Sequence, residues 1–254
     1  MRERVSRRQA LAGLGTVSLG ALLAACTGSD DAVTTTSVPT SDGGNARVEP
    51  QTPAGSDLAA LFEGAAACTL TPEQTEGPYY FDVDAIRSDV REDRDGTTLR
   101  LAVRVQDATA CTAIGDAVVE IWHCDAEGSY SGFELASMGG AGGGRTDEET
   151  YLRGAQVTNA DGIVEFVTIY PGWYRGRTVH IHAKVHPDGA TVLTTQFCFD
   201  EAVTAAVYEA SPYSQRTDRD TFNANDMIFG ASTMLTLSED GDGVLGLITV
   251  GVAA

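Results

Sequence analysis

Apolar and polar residues alternate along several short segments of this chain, and such alternation predicts β-strands that have one buried face. Residues 99–105 give a clear example, because Leu99, Leu101 and Val103 are separated by Arg100 and Ala102. Strands are also predicted at residues 117–123, 162–169, 177–186, 192–199, 234–237 and 244–250. Turn-forming residues separate these segments, so the pattern predicts an all-β fold, an antiparallel β-sandwich with short helical excursions.

Three other segments do not follow this strand pattern. Residues 58–67 are predicted to form a short helix, and residues 201–229 are predicted to be irregular or briefly helical and packed on the sandwich. The run Asp240-Gly241-Asp242-Gly243 is too short for an EF-hand calcium loop. It predicts a hairpin turn between the last two strands.

The first 25 residues have the pattern of an export signal and are left out of the fold. Arginines crowd the start, and the apolar stretch 10–25 is too short and too glycine-broken for a membrane span. Ser6-Arg7-Arg8 and the residues after it resemble a twin-arginine export signal, and Leu23-Ala24-Ala25-Cys26 resembles a bacterial lipobox. This resemblance implies cleavage before Cys26 and a lipid on its sulfur. The alternative is an ordinary secretory signal with a chance cysteine.

Residues 26–67 are predicted to be the lipidated cysteine and a linker. Residues 27–56 are rich in Thr, Ser, Gly, Asp and Pro and lack apolar periodicity, which predicts a disordered tether. The globular domain is predicted to span residues 68–254. The expected location is outside the cytoplasm, on the bacterial cell membrane, with the lipid as the only membrane attachment.

The charge of the chain excludes some partners. Its net charge of −19 argues against nucleic-acid binding, which needs a basic surface. The same charge argues against adsorption to an anionic membrane through the protein itself. A homo-oligomer is compatible with the sequence, and so is a monomer.

Four cysteines remain if Cys26 carries the lipid, and an exported domain favours disulfides between them. Cys111 and Cys124 flank the predicted strand 117–123 at opposite ends, which is beyond the reach of a disulfide. Excluding that bridge also excludes Cys68–Cys198. Of the remaining pairings, we prefer Cys68–Cys111 together with Cys124–Cys198.

The segment that indicates chemistry is His180-Ile181-His182, which lies in a predicted strand. Alternate side chains of a strand point to one face, roughly 6–7 Å apart, so both imidazoles can reach one metal ion. The alternative is a half-exposed strand with a polar face. Tyr174, just upstream, favours the metal site, and His186 on the same face is too distant to join it.

A fourth ligand is expected from Tyr130, which lies just past the end of the predicted strand 117–123. Two phenolates and two imidazoles form a hard, anionic ligand set. Such a set suits ferric iron better than zinc or cuprous copper. The expected cofactor is therefore one Fe(III) ion per chain, bound by Tyr130, Tyr174, His180 and His182.

Longer motifs resemble the core of the intradiol ring-cleaving dioxygenases. They are Tyr151-Leu152-Arg153-Gly154, Thr168-Ile169-Tyr170-Pro171-Gly172-Trp173-Tyr174 and the following His180-Ile181-His182. The resemblance covers residues 68 to 250 and implies a β-sandwich that carries non-haem Fe(III). It assigns the same four metal ligands. The helical dimerisation region of the catechol dioxygenases has no counterpart here.

The resemblance also implies roles for further residues. Arg177 would stabilise the developing negative charge on the ring, Gln196 would orient the ring, and Tyr174 would leave the iron and accept a substrate proton. Gly77, Pro78 and Tyr79 would line the substrate pocket. The implied reaction cleaves a catechol between its two hydroxyls with O₂ and gives a cis,cis-muconate-type product. The alternative is a non-catalytic β-sandwich lipoprotein of the cell envelope that binds iron or another ligand.

Overall fold

The computed structural model describes residues 36–39, 45–48, 56–62, 68–83, 85–133, 144–187 and 192–253. Within these ranges the chain forms two β-sheets, with a few short helices around them. The predicted signal segment and Cys26 lie outside the described residues. No helix of the described part is long and apolar enough to cross a membrane.

The larger sheet has seven strands in the order β1-β2-β3-β6-β5-β8-β9. In chain order these are β1 (Thr36–Pro39), β2 (Asn45–Val48), β3 (Ala85–Ile86), β5 (Val118–Trp122), β6 (Arg153–Val157), β8 (His180–His186) and β9 (Leu193–Cys198). The smaller sheet has the order β10-β11-β4-β7. Its members are β4 (Thr98–Asp107), β7 (Ile163–Ile169), β10 (Thr236–Asp240) and β11 (Gly243–Val252).

The predicted all-β sandwich is confirmed, although its sheets are mixed. Antiparallel pairing joins β6 to β5, β5 to β8 and β8 to β9, as well as β4 to β7 and β10 to β11. Strand β11 instead pairs parallel with β4, and β3 pairs parallel with both β2 and β6. The predicted hairpin at residues 240–243 is confirmed by the pairing of Asp240 with Gly243.

One apolar core fills the space between the two sheets. Strand β4 contributes Leu99, Leu101 and Val103 at alternate positions, and β8 contributes Ile181 and Ala183 in the same way. Because strand side chains alternate between faces, the histidines of β8 must lie on the opposite face, outside this core. This alternation places the candidate site on the outer face of the larger sheet.

Strand β6 was not among the strands predicted from the alternation. Its five residues are buried or nearly so on both faces, so they show no alternation to read. Glycine is required at position 154 of this strand because a Cβ there would lie 2.8 Å from the Val90 side chain and 3.0 Å from that of Arg87. The position of β6 therefore depends on its close packing against the residues that follow β3.

The predicted tether contains two short strands. Strands β1 and β2 form a hairpin, and Arg47 and Val48 of β2 pair with Ala85 and Ile86 of β3. The edge of a sheet presents unpaired backbone groups, and a polar segment with low intrinsic structure can pair with them. Composition alone does not reveal that pairing.

The predicted helical segments are confirmed with different ends. Helix α1 spans Ser56–Leu61, and Leu58 and Phe62 pack against the outer face of the smaller sheet at Ala102, Ile163 and Leu245. Helix α2 spans Glu201–Val207 and is capped by the Asp200 carboxylate. Two 3-10 helices follow at Tyr213–Gln215 and Ala231–Thr233.

The structure contains the Cys68–Cys111 disulfide, with a Cα–Cα distance of 5.2 Å. The expected second bridge does not form, because Cys124 and Cys198 are buried free thiols. Strand β8 runs between the strands that lead to these two cysteines. Two strand spacings amount to about 9.6 Å, which exceeds the ~7 Å Cα separation that a disulfide tolerates.

His123 is a buried structural histidine just after β5. Its Nδ1 donates to the Cys124 carbonyl at 2.8 Å, and its Nε2 accepts from the Thr168 hydroxyl at 2.7 Å. Both ring nitrogens are therefore satisfied in the neutral form. Burial lowers the pKa of His123 to about 4.

We expect this histidine to make the fold sensitive to acid. The unfolded chain binds the proton near the ordinary pKa of about 6.5, so stability falls as the pH drops from about 6.5 to about 4. In His123→Gln, the free energy of unfolding should depend less on pH, by up to about 1.4 kcal/mol per pH unit. Denaturant titrations between pH 4.5 and 6 measure this slope. Equal slopes in the two proteins would contradict the assignment.

Candidate active site

Strand β8 places His180 and His182 side by side on the outer face of the larger sheet. They are only 2% and 1% exposed, although they point away from the sandwich core. Their Nε2 atoms lie 3.1 Å apart. The Trp122 ring, whose residue pairs with His182 across β5 and β8, stacks on the His182 ring at 4.8 Å. The two imidazoles predicted from His-x-His therefore converge on one buried point.

The backbone fixes which nitrogen of His180 faces that point. His180 Nδ1 donates a hydrogen bond to the Thr178 carbonyl at 2.7 Å. A carbonyl oxygen accepts only, so the proton is on Nδ1 and Nε2 keeps its lone pair. Such an outer hydrogen bond is the usual means of orienting a metal-binding imidazole.

Tyr174 reaches the same point from the loop that precedes β8. Its hydroxyl lies 3.1 Å from His180 Nε2. The loop is anchored where the Gly172 amide donates to the Asp125 carbonyl at 3.0 Å. A Cβ at Gly172 would lie 2.4 Å from the Ala126 carbonyl oxygen, so this close backbone approach requires glycine.

Tyr130 completes the group of four. Its ring packs edge-on against those of Tyr174 and His182, with centroid distances of 5.7 Å and 6.2 Å. The Tyr130 hydroxyl is buried and has no hydrogen-bond partner among the described residues. A buried hydroxyl without a partner is costly, which indicates that another group satisfies it in the working protein.

Burial opposes charge on all four side chains. It lowers the pKa of His180 to about 3 and that of His182 well below its ordinary value, with Arg177 and the neighbouring histidine adding to the effect. Burial also raises the pKa values of Tyr130 and Tyr174 well above 10. The imidazoles are therefore neutral at physiological pH, and the phenols ionise only if a nearby cation stabilises their anions.

The donor set fits a hard, highly charged metal ion. His180 presents an Nε2 lone pair, neutral His182 can present another beside it, and two phenols can become phenolates next to a cation. Among the described residues, no group of three or more His, Cys, Asp and Glu side chains could hold a metal. The candidate metal centre thus depends on its two tyrosines. His186, at the far end of β8, pairs with Val118 and stays outside the cluster, as expected.

Arg177 and Gln196 lie beside this cluster, as the sequence suggested. Arg177 Nη1 is 3.4 Å from His180 Nε2, and Arg177 Nη2 donates to Gln196 Oε1 at 2.5 Å. Gln196 is paired with His182 across β8 and β9, and its Nε2 donates to the Thr75 carbonyl at 2.8 Å. Arg177 therefore lies beside a candidate ligand atom, and the Gln196 side chain holds it there.

The segment before β3 covers the cluster from solvent. Gly77 has φ +73°, and a Cβ there would lie 3.2 Å from His182 Cε1. Tyr79 is buried and stacks on Tyr130 with centroids 4.8 Å apart. Pro78 is exposed between them. The structure therefore brings two of the three predicted pocket residues, Gly77 and Tyr79, against the candidate ligands.

Sequence reasoning gave no role to Arg153, which the structure places behind Tyr130. Arg153 is 1% exposed, and its guanidinium lies 4.2 Å from the Phe81 ring centroid and 5.8 Å from that of Tyr130. Its Nε and Nη2 donate to the Ser131 hydroxyl and carbonyl. Burial lowers the pKa of Arg153 to about 10. A lone arginine in a strand gives no signal of this position.

Comparisons with known proteins identify the family to which this chain is similar. A family model described as Dioxygenase (Dioxygenase_C) matches residues 75–211, more than half of the chain. Catechol 1,2-dioxygenase 1 of Acinetobacter lwoffii is 32% identical over 150 residues, which cover 50% of this chain and 45% of that protein. The catechol 1,2-dioxygenase of Acinetobacter baylyi is 30% identical over 182 residues, 62% of this chain and 58% of that protein. The chain thus spans about half the length of the curated relatives it matches.

Solved structures match a larger share of the domain. An intradiol ring-cleavage dioxygenase from Tetranychus urticae superposes with a TM-score of 0.67 at 36% identity, covering 72% of this chain and 94% of that chain. The dioxygenase domain of a carbohydrate-binding fusion protein from Streptomyces sp. SirexAA-E gives a TM-score of 0.56 at 27% identity, covering 72% and 97%. The matched family, the shared sandwich and the 36% identity to the Tetranychus urticae enzyme show that this chain belongs to the intradiol ring-cleavage dioxygenases.

Proposed function

We propose that this protein is a non-haem Fe(III) dioxygenase that cleaves a catechol ring between its two hydroxyls, using O₂ and giving a cis,cis-muconate-type product. One observation carries the proposal. His180 Nε2 lies 3.1 Å from both His182 Nε2 and the Tyr174 hydroxyl, with a second, unpartnered phenol beside them. Tyr130, Tyr174, His180 and His182 would hold one iron per chain. Bound Fe(III) would supply the positive charge that ionises both catechol hydroxyls and draws electron density from the ring.

The protein's own residues contribute proton transfer and charge. The Tyr174 hydroxyl, 3.1 Å from His180 Nε2, would accept one proton from the substrate. Arg177 carries a permanent charge that would stabilise negative charge on the ring, because a fixed donor in a buried site needs no reorganisation. Gln196 would keep Arg177 directed at the substrate through the hydrogen bond between them.

The remaining contribution is exclusion of water. Tyr79 and Tyr130 stack over the cluster, and Trp122 closes the side next to His182. These rings keep the site dry, which strengthens every electrostatic interaction inside it. Reactive oxygen-bearing species would be shielded from bulk water in the same way.

We also propose that the protein is exported and anchored to the bacterial cell membrane by a lipid on Cys26. The lipobox-like Leu23-Ala24-Ala25-Cys26 and the arginine pair before it support this location. The Cys68–Cys111 disulfide is consistent with an oxidising compartment. Helix α1 then attaches the end of the tether to the smaller sheet, on the side of the sandwich away from the candidate site.

The function is tested by metal content and oxygen uptake. Purified protein should contain about one iron per chain, absorb broadly in the visible and consume one O₂ per catechol cleaved. His182→Ala should lose iron and colour because it removes a ligand. His186→Ala is the matched control, since it removes the same side chain from the same strand outside the cluster. Iron and colour without oxygen uptake on any catechol would favour a non-catalytic iron-binding protein, and stoichiometric zinc would refute the iron site.

The two tyrosines should behave differently. Tyr174→Phe should retain iron but turn over about 10²–10⁴-fold more slowly, because it lacks the base that accepts a substrate proton. Tyr130→Phe should instead change the visible band both before and after anaerobic addition of catechol, because Tyr130 stays bound throughout. Visible spectra and initial rates of the two variants measure this difference. A wild-type rate in Tyr174→Phe would disprove its role.

The anchor is tested by fractionation of cells that produce the full chain. Cys26→Ser should move the protein from the membrane to the soluble fraction and leave its specific activity unchanged, because the linker separates the anchor from the domain. Thr27→Ser, which keeps the cysteine, is the control. Equal membrane retention of Cys26→Ser would refute the lipid anchor.

A further inference from the structure

Arg177 is held from two sides. Its Nη2 donates to Gln196 Oε1 at 2.5 Å, and its Nε donates to Asp226 Oδ2 at 3.0 Å. The third face of the guanidinium, at Nη1, lies 3.4 Å from His180 Nε2. Two of the three sides are thus committed to protein acceptors, and the remaining one faces the candidate metal centre.

The Asp226 carboxylate is unusual in this acidic protein, because its side chain is only 1% exposed. Its Oδ2 also accepts from the Thr178 amide at 2.7 Å, and its Oδ1 accepts from the Ile228 amide at 2.7 Å. The Thr178 carbonyl is the acceptor that orients His180. The Asp226 carboxylate therefore binds both Arg177 and Thr178, and Thr178 in turn orients His180.

These contacts close into a ring of hydrogen bonds. Gln74 Nε2 donates to the Ile228 carbonyl at 2.6 Å, and Gln74 Oε1 accepts from the Gln196 amide at 2.8 Å. The ring then runs from Gln196 through Arg177 and Asp226 back to Ile228. A closed ring resists distortion more than separate pairs do, because displacing one member breaks bonds on both of its sides.

We propose that Asp226 is a positioning residue for the ring-cleavage reaction and sets the direction in which Arg177 presents Nη1 to the substrate. This inference rests on the proposed function. The proposed effect passes through Arg177, whose Nε donates to the Asp226 carboxylate. It also lies beyond residues 75–211, which the family model matches.

The physical advantage of the Asp226 contact is that it restricts a flexible arginine side chain. Holding the guanidinium of a long side chain in one geometry costs conformational entropy. A carboxylate bound at Nε fixes the plane of the guanidinium before the substrate binds. Preorganised charge stabilises a transition state without further reorganisation. Removing the carboxylate would also leave a partly buried arginine without its counter-ion.

We expect Asp226→Asn to lower kcat by about 10–100-fold, the usual cost of losing such an outer partner, with little change in KM. Iron content and the visible band of the resting protein should stay as in the wild type. Asp218→Asn is the matched control, because Asp218 forms an exposed ion pair with Arg175 on the same segment at 3.0 Å. That control should retain wild-type kcat. Wild-type kcat in Asp226→Asn would overturn the proposal.

A double-mutant cycle separates positioning from a general loss of structure. Arg177→Gln removes the group that Asp226 positions, so adding Asp226→Asn to it should reduce kcat no further. If Asp226 only supports the fold, the two losses should multiply, and that result would overturn the proposal. Melting temperatures of all four proteins show whether each variant is folded under the assay conditions.

Crystal structures of the wild type and Asp226→Asn give a readout that needs no activity. In the variant, the Arg177 guanidinium should leave its single orientation and lose its bond to Gln196. An unchanged Arg177 would overturn the proposal even if the enzyme is active. A wild-type protein that consumes no O₂ with any catechol would instead refute the proposed function, while the two structures still decide whether Asp226 orients Arg177.

Discussion

The structure depends on four donor groups brought to one point where burial opposes charge on each of them. The histidines are held neutral and the tyrosines are held as phenols by the same lack of water. A highly charged cation at their meeting point, as proposed, would favour the phenolates, because its charge opposes the effect of burial. The donor set therefore fits the proposed metal, which would prefer anionic oxygen together with neutral nitrogen.

Strand β8 brings the two histidines together because one of its faces packs in the core and the other carries the imidazoles. Ile181, Ala183 and Val185 anchor one face in the sandwich core, and His180 and His182 use the other. The core holds the backbone rigid, so the imidazoles need only short outer contacts to be fixed. The Thr178 carbonyl supplies one of these contacts, and the Trp122 ring supplies another.

Further layers link the site to distant parts of the chain. Segment 74–79 closes over the histidines and is tied to β9 through Gln74 and Gln196. The loop that contains Asp226 reaches the same region from beyond helix α2 and binds Arg177. Segments of the chain more than a hundred residues apart therefore meet around the Arg177 guanidinium.

The sequence by itself determined the all-β class and the four candidate ligands. It also predicted seven strands by alternation, and the ends of five of them agree with the structure to within two residues. Alternation reveals a strand that has one buried face, and residue chemistry reveals the preferred metal. Tertiary structure alone decided the position of β6, which is buried on both faces, and the pairing of β2 with β3, which adds the β1–β2 hairpin to the larger sheet. It also left Cys124 and Cys198 unbridged, because β8 separates their strands, and brought Asp226 to Arg177. Contacts of that kind join residues remote in sequence, and no local pattern records them.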